Sequence, residues 1–169
     1  MAKTSYLVAL GSNRRHGTYG APAEVVKAAA RALAAHGIAV ERLSPIRSTP
    51  ALGPAGRGFA NAAALVVTKL EPSALLHRLK QVERAFGRRG GRRWGPRVLD
   101  LDIILWSEGW WADGALTIPH PEFRKRGFVL APLAAIAPDW RDPLSGATVR
   151  HLFHRLRRAS PVDRGPGRS

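Results

Sequence analysis

Two aspartates, Asp100 and Asp102, are the residues whose type and spacing most directly suggest chemistry, because they interrupt an apolar stretch from Val98 to Trp106. The stretch alternates with period two, which predicts a strand with both carboxylates on one face. The opposite face then carries Leu99, Leu101, Ile103 and Leu105. At about 3.3 Å per residue the two acids lie roughly 6.6 Å apart. Their repulsion is below about 1 kcal/mol in water and roughly 2–3 kcal/mol at an effective dielectric of about 20, so an enclosed pair requires a cation nearby.

Two interpretations fit these acids. A divalent metal ion with oxygen ligands would neutralise them, and the arginines that precede them would suit phosphates carried by that metal. Alternatively, the strand lies at a sheet edge and its charges only prevent aggregation. The preceding Arg93-Trp94-Gly95-Pro96-Arg97 favours the first interpretation, because a solubilising loop does not require a tryptophan beside a Gly-Pro turn.

Composition narrows the class of protein. The chain of 169 residues is long enough for one domain with a real core, which we expect over residues 1–158, followed by a disordered tail over 159–169. It has no cysteine, and we find neither a membrane-spanning run nor a leader peptide, so we expect a cytoplasmic protein without a membrane partner. We also expect a monomer. The net charge of +15 attracts polyanions, either nucleic acid or nucleotide phosphates.

The order of predicted elements is β-α-β-β-α-β. This order indicates an α+β, ferredoxin-like fold with two helices on one face of an antiparallel sheet and the other face left for ligands. The predicted strands cover Tyr6–Leu10, Ile38–Ser48 with a break at Ser44-Pro45, Phe59–Leu70 and Val98–Trp106, and the helices begin at Pro22 and Glu71. A C-terminal extension follows, with a hairpin or loop over Trp110–Pro119, a helix over Phe128–Ala137 and an amphipathic turn over Val149–Arg158.

Three further segments could carry function, and each has a structural alternative. The loop from Thr49 to Phe59, followed by Asn61, could bind a flat heterocycle, or Phe59 could pack into the core. The segment His120–Phe128 could hold phosphate through Arg126 and stack a ring on Phe128, or it could be a basic turn anchored by Phe128. Lys80 and Glu83 read as a surface ion pair, and His151 and His154 as surface residues.

No P-loop, dinucleotide-binding glycine motif or His-Glu-x-x-His motif is present. Instead the chain resembles the 6-hydroxymethyl-7,8-dihydropterin pyrophosphokinases of folate biosynthesis, which transfer a pyrophosphoryl group from ATP to a pterin alcohol. The resemblance runs from Tyr6 to about Leu152. It rests on Leu10-Gly11-Ser12-Asn13, Thr49-Pro50-Ala51-Leu52-Gly53-Pro54, Phe59-Ala60-Asn61-Ala62, Glu83 with Gly87-Arg88, Arg93-Trp94-Gly95-Pro96-Arg97-Val98-Leu99-Asp100-Leu101-Asp102, and Pro119-His120-Pro121 through Arg126-Gly127-Phe128.

The resemblance implies roles for particular residues. It implies that Asp100 and Asp102 hold two Mg²⁺ ions that bridge the phosphates of the co-substrate ATP. The catalytic set that it implies also includes Arg88, Trp94 and Arg97, and the nucleotide-binding set consists of Glu83, Ile103, Thr117, His120 and Arg126. The pterin-binding set that it implies consists of Thr49, Pro50, Leu52, Phe59, Asn61 and Phe128. Gly90 replaces the family's usual second loop arginine, so Arg89 or Arg92 would substitute for it.

RNA binding is the alternative from another class of protein. A basic β-α-β-β-α-β domain could be an RNA-recognition module, and Arg57-Gly58-Phe59-Ala60 begins like the stacking motif of that fold. The motif then fails, because Asn61-Ala62-Ala63-Ala64 lacks the central aromatic residue, and Asp100 and Asp102 would face RNA phosphates without a metal. We therefore expect the partners to be the pterin and ATP.

Overall fold

A computed structural model describes residues 2–13, 16–49, 58–87 and 98–159 of the chain. Strands β1 (Thr4–Ser12), β2 (Ala39–Leu43), β3 (Arg47–Thr49), β4 (Phe59–Thr68) and β5 (Asp100–Trp106) form an antiparallel sheet. The order across the sheet is β2-β4-β1-β5, and β3 also pairs with β4. The strand carrying both aspartates therefore lies at a sheet edge, next to β1.

The first face of the sheet is covered by two helices, as the sequence predicts. Helix α1 (Pro22–Ala34) begins at a proline, which suits the first helical position, and the chain leaves it through Gly37 at a φ of +76°. Helix α2 (Pro72–Gly87) presents apolar residues at helical spacing. The first core combines residues of both helices with alternate residues of the strands, among them Val25, Leu33, Leu75, Leu79, Val8, Leu10, Leu101 and Ile103.

The second face is covered at one end by two more helices, so the prediction that this face is left for ligands is wrong for that end. Helix α3 (Gly127–Ile136) and helix α4 (Val149–Ala159) pack over Leu7, Ala63 and Leu65 in a second hydrophobic core. The predicted amphipathic turn is thus a full helix, and Ala159, assigned to the tail, is its last residue. Among the described residues, the other end of this face is the part that α3 and α4 leave uncovered for a ligand.

A β-bulge in β5 explains one error of the sequence analysis. Leu7 of β1 pairs with Leu105 and Val8 pairs with Ile103, so Ile104 is an extra residue in β5. An extra residue interrupts the alternation of side chains. Leu105, predicted to lie beneath α1 and α2 with Ile103, therefore packs in the second core together with Ile104.

The remaining elements follow the sequence closely. The predicted break at Ser44-Pro45 separates β2 from β3. The segment Trp110–Pro119 contains a hairpin of β6 (Trp111–Ala112) and β7 (Thr117–Ile118), and a short 3₁₀ turn (Phe123–Lys125) precedes α3. Within the described ranges, no helix combines the length and apolar character that crossing a bilayer requires. The predicted tail from residue 160 onward lies outside the described residues.

Candidate active site

One row of paired residues crosses the open end of the second face. Asp100 of β5 pairs with Gly11 of β1, Gly11 pairs with Asn61 of β4, and Asn61 pairs with Arg47 of β3. Paired residues of antiparallel strands project to the same side of a sheet. The row therefore places a carboxylate, an amide and a guanidinium on one surface, although they are far apart in the sequence. Arg47 was not singled out in the sequence, because only the register of β3 brings it here.

Gly11 creates space in the middle of this row. A Cβ atom built on Gly11 would lie 3.1 Å from Oδ1 of Asn61, which is tighter than ordinary van der Waals contact. The absence of a side chain thus allows the Asn61 amide to lie across β1 toward the strand of the aspartates. Gly11, near the end of β1, therefore contributes to the shape of the site as well as to the predicted turn that follows the strand.

Asp102 lies on the same face, one pair further along. It pairs with Ala9, which packs against the second core, so both acids face away from α1 and α2 as predicted. Asp100 is exposed and Asp102 is half-buried. Residues 2–13, 16–49, 58–87 and 98–159 contain no cluster of three or more metal-ligating side chains. A metal ion at the two carboxylates would therefore need further oxygen ligands from a substrate or water, which phosphates supply.

Glu83 of α2 anchors the backbone between the two acids. Its Oε2 accepts a hydrogen bond of 2.7 Å from the N–H of Leu101, and its Oε1 lies 3.1 Å from Lys80 Nζ. The Glu83 side chain is only 10% exposed, so the interpretation of a plain surface ion pair is wrong. Because an edge strand has unpaired backbone groups, Glu83 fixes β5 where Asp100 and Asp102 emerge.

This contact predicts a difference between two similar glutamates. Glu83→Ala leaves the Leu101 N–H without its partner and should lower the free energy of unfolding by about 1–3 kcal/mol. Glu24 forms the same kind of i,i+3 pair with Lys27 on α1, but both side chains are exposed. Glu24→Ala should change stability by less than about 0.5 kcal/mol. Urea denaturation of both variants measures the difference, and equal losses would contradict the anchoring role of Glu83.

His120 is attached to the same strand. Its backbone N–H donates to the carbonyl of Ile104 at 3.0 Å, and its Nδ1 accepts from the N–H of Glu122 at 3.1 Å. Burial lowers the pKa of His120; the negative charge of Asp102 opposes the shift and the positive charge of Arg126 reinforces it. The ring is therefore neutral at neutral pH and carries its proton on Nε2, because Nδ1 is used as an acceptor. The His120 ring, with this N–H donor, therefore lies within electrostatic range of the Asp102 carboxylate.

Two aromatic rings are exposed at the surface rather than packed in a core. Phe59 is 50% exposed and Phe128 is 55% exposed, so neither anchors the core. Phe59 pairs with Thr49 and shares a face with Asn61, whereas Phe128 lies at the start of α3 with the Arg126 guanidinium 5.9 Å from its ring centre. The residue that anchors this region is the fully buried Phe123, which the sequence analysis did not single out.

The other predicted site residues differ in exposure, and several lie outside the described residues. Ile103 is buried in the first core, so its side chain cannot contact a ligand on the second face, while Thr117 is exposed on β7. His151 and His154 are exposed on α4, as expected for surface residues. Several predicted residues lie outside the described residues, namely Pro50, Leu52, Arg88, Trp94 and Arg97, together with Arg89, Gly90 and Arg92.

Solved structures with this fold include crystal structures of HPPK-DHPS proteins. The chain superimposes on the crystal structure of a Plasmodium falciparum HPPK-DHPS triple mutant with a TM-score of 0.70 and 12% identity, over 96% of this chain and 46% of that one. A crystal structure of HPPK-DHPS in complex with substrates gives a TM-score of 0.71 at 11% identity. The chain therefore shares the fold of these HPPK-DHPS proteins, and it spans less than half of their length.

Sequence comparison assigns the family. Residues 7–138 match the model of 7,8-dihydro-6-hydroxymethylpterin-pyrophosphokinase (HPPK). The chain is 39% identical to a 2-amino-4-hydroxy-6-hydroxymethyldihydropteridine pyrophosphokinase of Methylorubrum extorquens, over 90% of this chain and 94% of that protein. It is 43% identical to the enzyme of the same name from a Synechocystis strain, over 71% of this chain and 62% of that protein. The chain belongs to the HPPK family.

Proposed function

We propose that this chain transfers the diphosphoryl group of ATP to 6-hydroxymethyl-7,8-dihydropterin and releases AMP. It is a pterin pyrophosphokinase of folate biosynthesis, that is, an ATP-dependent diphosphotransferase. The observation that carries the assignment of the site is the row Asp100–Gly11–Asn61, with Asp102 one pair away on the same face. In this proposal the carboxylates of Asp100 and Asp102 serve the phosphate end of one substrate, and the neighbouring amide of Asn61 serves the heterocycle of the other.

The two aspartates are proposed to hold Mg²⁺, as two ions. Carboxylate oxygens are hard ligands that suit Mg²⁺, and the half-exposed position leaves room for phosphate oxygens and water to complete the coordination. When bound, the metal would neutralise charge on the phosphates in the transition state. Asp102 is also a candidate acceptor for the proton of the pterin hydroxyl.

The remaining residues position the reactants. The pterin hydroxyl oxygen attacks the β-phosphorus in line, the bond from that phosphorus to the bridging oxygen breaks, and AMP leaves with that oxygen. We assign the neutral Nε2–H of His120 and the guanidinium of Arg126 to phosphate oxygens. The chain's contribution is thus position and charge, which is what phosphoryl transfer requires of a protein. Glu83, Thr117 and the main chain at Ile103 are proposed on the nucleotide side, and Arg88, Trp94 and Arg97 complete the catalytic set.

The pterin is proposed to bind beside the aspartates at the other end of the row. The amide of Asn61 can both donate and accept, so it can recognise the mixed donor and acceptor edge of a pterin. The half-exposed rings of Phe59 and Phe128 are available to stack on its two faces. We also assign the backbone of Thr49, Pro50 and Leu52 to this site.

The space at Gly11 gives a direct test of Asn61. In Gly11→Ala the new Cβ would press on Oδ1 of Asn61, which must shift by a few tenths of an ångström. We expect the KM for the pterin to rise by about 2- to 12-fold, equivalent to one weakened hydrogen bond, while the KM for ATP changes little. Gly114→Ala is the matched control, because a Cβ there has open space. An unchanged pterin KM in Gly11→Ala would refute the assigned role of Asn61.

The reaction itself is tested by AMP release. ATP should yield AMP only when both the hydroxymethyl pterin and Mg²⁺ are present, and removal of Mg²⁺ with a chelator should stop the reaction. Tight RNA binding without AMP release would favour the RNA-binding alternative. That alternative is less consistent with the fold, because α3 and α4 cover one end of the sheet face that such a module needs for RNA.

The finer fold assignment and the cellular setting are proposals of the same kind. The strand order β2-β4-β1-β5 with two helices on one face supports a ferredoxin-like core to which β3, α3 and α4 are added. We further propose a cytoplasmic monomer in which residues 1–158 form one domain.

A further inference from the structure

A buried ion pair lies behind the proposed nucleotide-binding segment. Asp142 is completely buried, and its carboxylate receives two hydrogen bonds from Arg124, from Nε to Oδ2 at 2.5 Å and from Nη2 to Oδ1 at 2.7 Å. The Oγ of Ser145 donates to it at 2.8 Å, and the N–H of Leu144 donates at 3.0 Å. A two-point contact of this kind fixes orientation as well as distance.

The Arg124–Asp142 pair connects the 3₁₀ turn to the segment between α3 and α4. Arg124 lies in the 3₁₀ turn between His120 and Arg126. Asp142 lies in the connection between α3 and α4, where its own N–H donates to Ala147 and its carbonyl accepts from Gly146. The 3₁₀ turn is thereby tied at one point to a connection that has its own backbone hydrogen bonds. The ring of Phe123, buried in the second core with the Arg124 guanidinium 4.7 Å from its centre, supports it at another.

The three cations of this segment are not equivalent. Arg124 is engaged by Asp142, and Lys125 pairs with Glu122 at 3.6 Å. In the part of the chain that the structure describes, no carboxylate forms an ion pair with Arg126, whose guanidinium lies over Phe128. Among these three cations, Arg126 is therefore the one available to a substrate, whereas Arg124 is engaged by a structural partner.

The pair keeps its charge at neutral pH. Burial opposes ionisation of Asp142, but the hydrogen bonds from Arg124, Ser145 and Leu144 outweigh it and lower its pKa to about 2. Because the folded-state value lies below the ordinary value of 3.8, its stabilising contribution is present above pH 3.8. It is lost only as the pH falls through about 2.

We propose that Asp142, acting through Arg124, is a positioning residue that holds the segment from His120 to Phe128 so that His120 and Arg126 face the phosphates of ATP. This inference rests on the proposed nucleotide role of that segment. Asp142 touches neither substrate in this scheme. Its effect is on nucleotide binding, and it does not change with pH around neutrality.

A double-mutant cycle tests the proposal in the full chain. Arg124→Gln, Asp142→Asn and the double variant are compared by steady-state kinetics at saturating pterin. We expect each single change to raise the KM for ATP by about 10- to 100-fold, because small displacements of binding groups have large effects. The double variant should be no worse than either single variant, since both remove the same tie. The KM for the pterin should stay within about twofold, and the ratio of variant to native KM for ATP should be constant from about pH 6 to 8.

The exposed pair of Asp139, in the same connection, with Arg150 of α4 is the matched control, with 3.1 Å between its charged atoms. Arg150→Gln and Asp139→Asn should leave both KM values unchanged, as expected for an exposed pair. If Asp142→Asn does not fold, Arg124→Lys decides the question. It keeps the charge but cannot make the two-point contact, so it should still raise the KM for ATP.

The outcomes separate this inference from the proposed function. A fall in kcat that matches the loss of folded protein, with both KM values native, would overturn the positioning role and leave the pair merely structural. Arg126→Ala in the same assay reports on the segment itself. If Arg126→Ala raises the KM for ATP but the Arg124 and Asp142 variants do not, only the inference is wrong. If Arg126→Ala has no effect, the assigned nucleotide role is wrong as well.

Discussion

Asp102→Asn is expected to lower kcat for AMP release by about a thousandfold or more while the protein remains folded. The substitution keeps the shape of the side chain but removes the charge on which metal binding depends. The carboxylate lies on the open end of the second face beside Asp100, so no other described acid can replace it there. Losing one preorganised charge in a phosphoryl-transfer site has effects of this size. Asp100→Asn should behave similarly.

Glu41→Gln is the matched control, because Glu41 is an exposed carboxylate on β2 at the opposite edge of the same sheet. Its activity should be native within about twofold. Circular dichroism checks that each variant is folded, and the dependence of activity on Mg²⁺ concentration should shift upward in the Asp102 variant if residual activity can be measured. Native activity in either aspartate variant would show that the pair does not hold the metal.

Local patterns were sufficient to predict the central strand and its two acids. Period-two alternation over 98–106 placed both aspartates on one face, and the pairing of Asp102 with Ala9 beside the second core confirms this. The same reasoning failed for Leu105, because alternation assumes one residue per partner residue and the bulge at Ile104 breaks that condition. A bulge depends on the partner strand, so the pattern of a single strand cannot reveal it.

Features that depend on long-range contacts could not be predicted from the sequence. Whether Phe59 and Phe128 were packed or presented depended on what else filled the second core. The structure shows that Phe123 fills it and leaves both other rings half-exposed. From the local sequence alone, Lys80 offers Glu83 a partner, which favours a surface ion pair. Its contact with the N–H of Leu101 spans 18 residues and required the packing of α2 against β5.

The different roles of the charged residues in 120–126 also could not be predicted from the sequence. In the sequence Arg124, Lys125 and Arg126 form one basic run, and nothing local distinguishes them. The structure separates them by their partners: buried Asp142 for Arg124, exposed Glu122 for Lys125, and an aromatic ring for Arg126. Since Asp142 is 18 residues away in the sequence, its role could be recognised only once α3 and α4 were in place.

Phe123→Ala is expected to lower the free energy of unfolding by about 3–5 kcal/mol, which is the usual cost of removing a buried phenyl ring and leaving a cavity. The ring is completely buried in the second core, where it contacts the cluster that includes Leu130, Leu133 and Leu152. It is also one of the two supports of the 3₁₀ turn that precedes Arg126. Urea denaturation of the full chain measures the loss.

Trp110→Ala removes an even larger aromatic side chain and is the matched control, because Trp110 is 65% exposed. Its effect on unfolding should be within about 0.5 kcal/mol. The comparison separates burial from side-chain size: if both variants lose the same stability, the second core does not depend on Phe123. If Phe123→Ala alone is destabilised, and its folded fraction also shows a raised KM for ATP, then the core beneath α3 and α4 both stabilises the fold and orients the nucleotide-binding segment. Native KM in the folded fraction would instead confine Phe123 to stability and leave the orientation to Arg124 and Asp142.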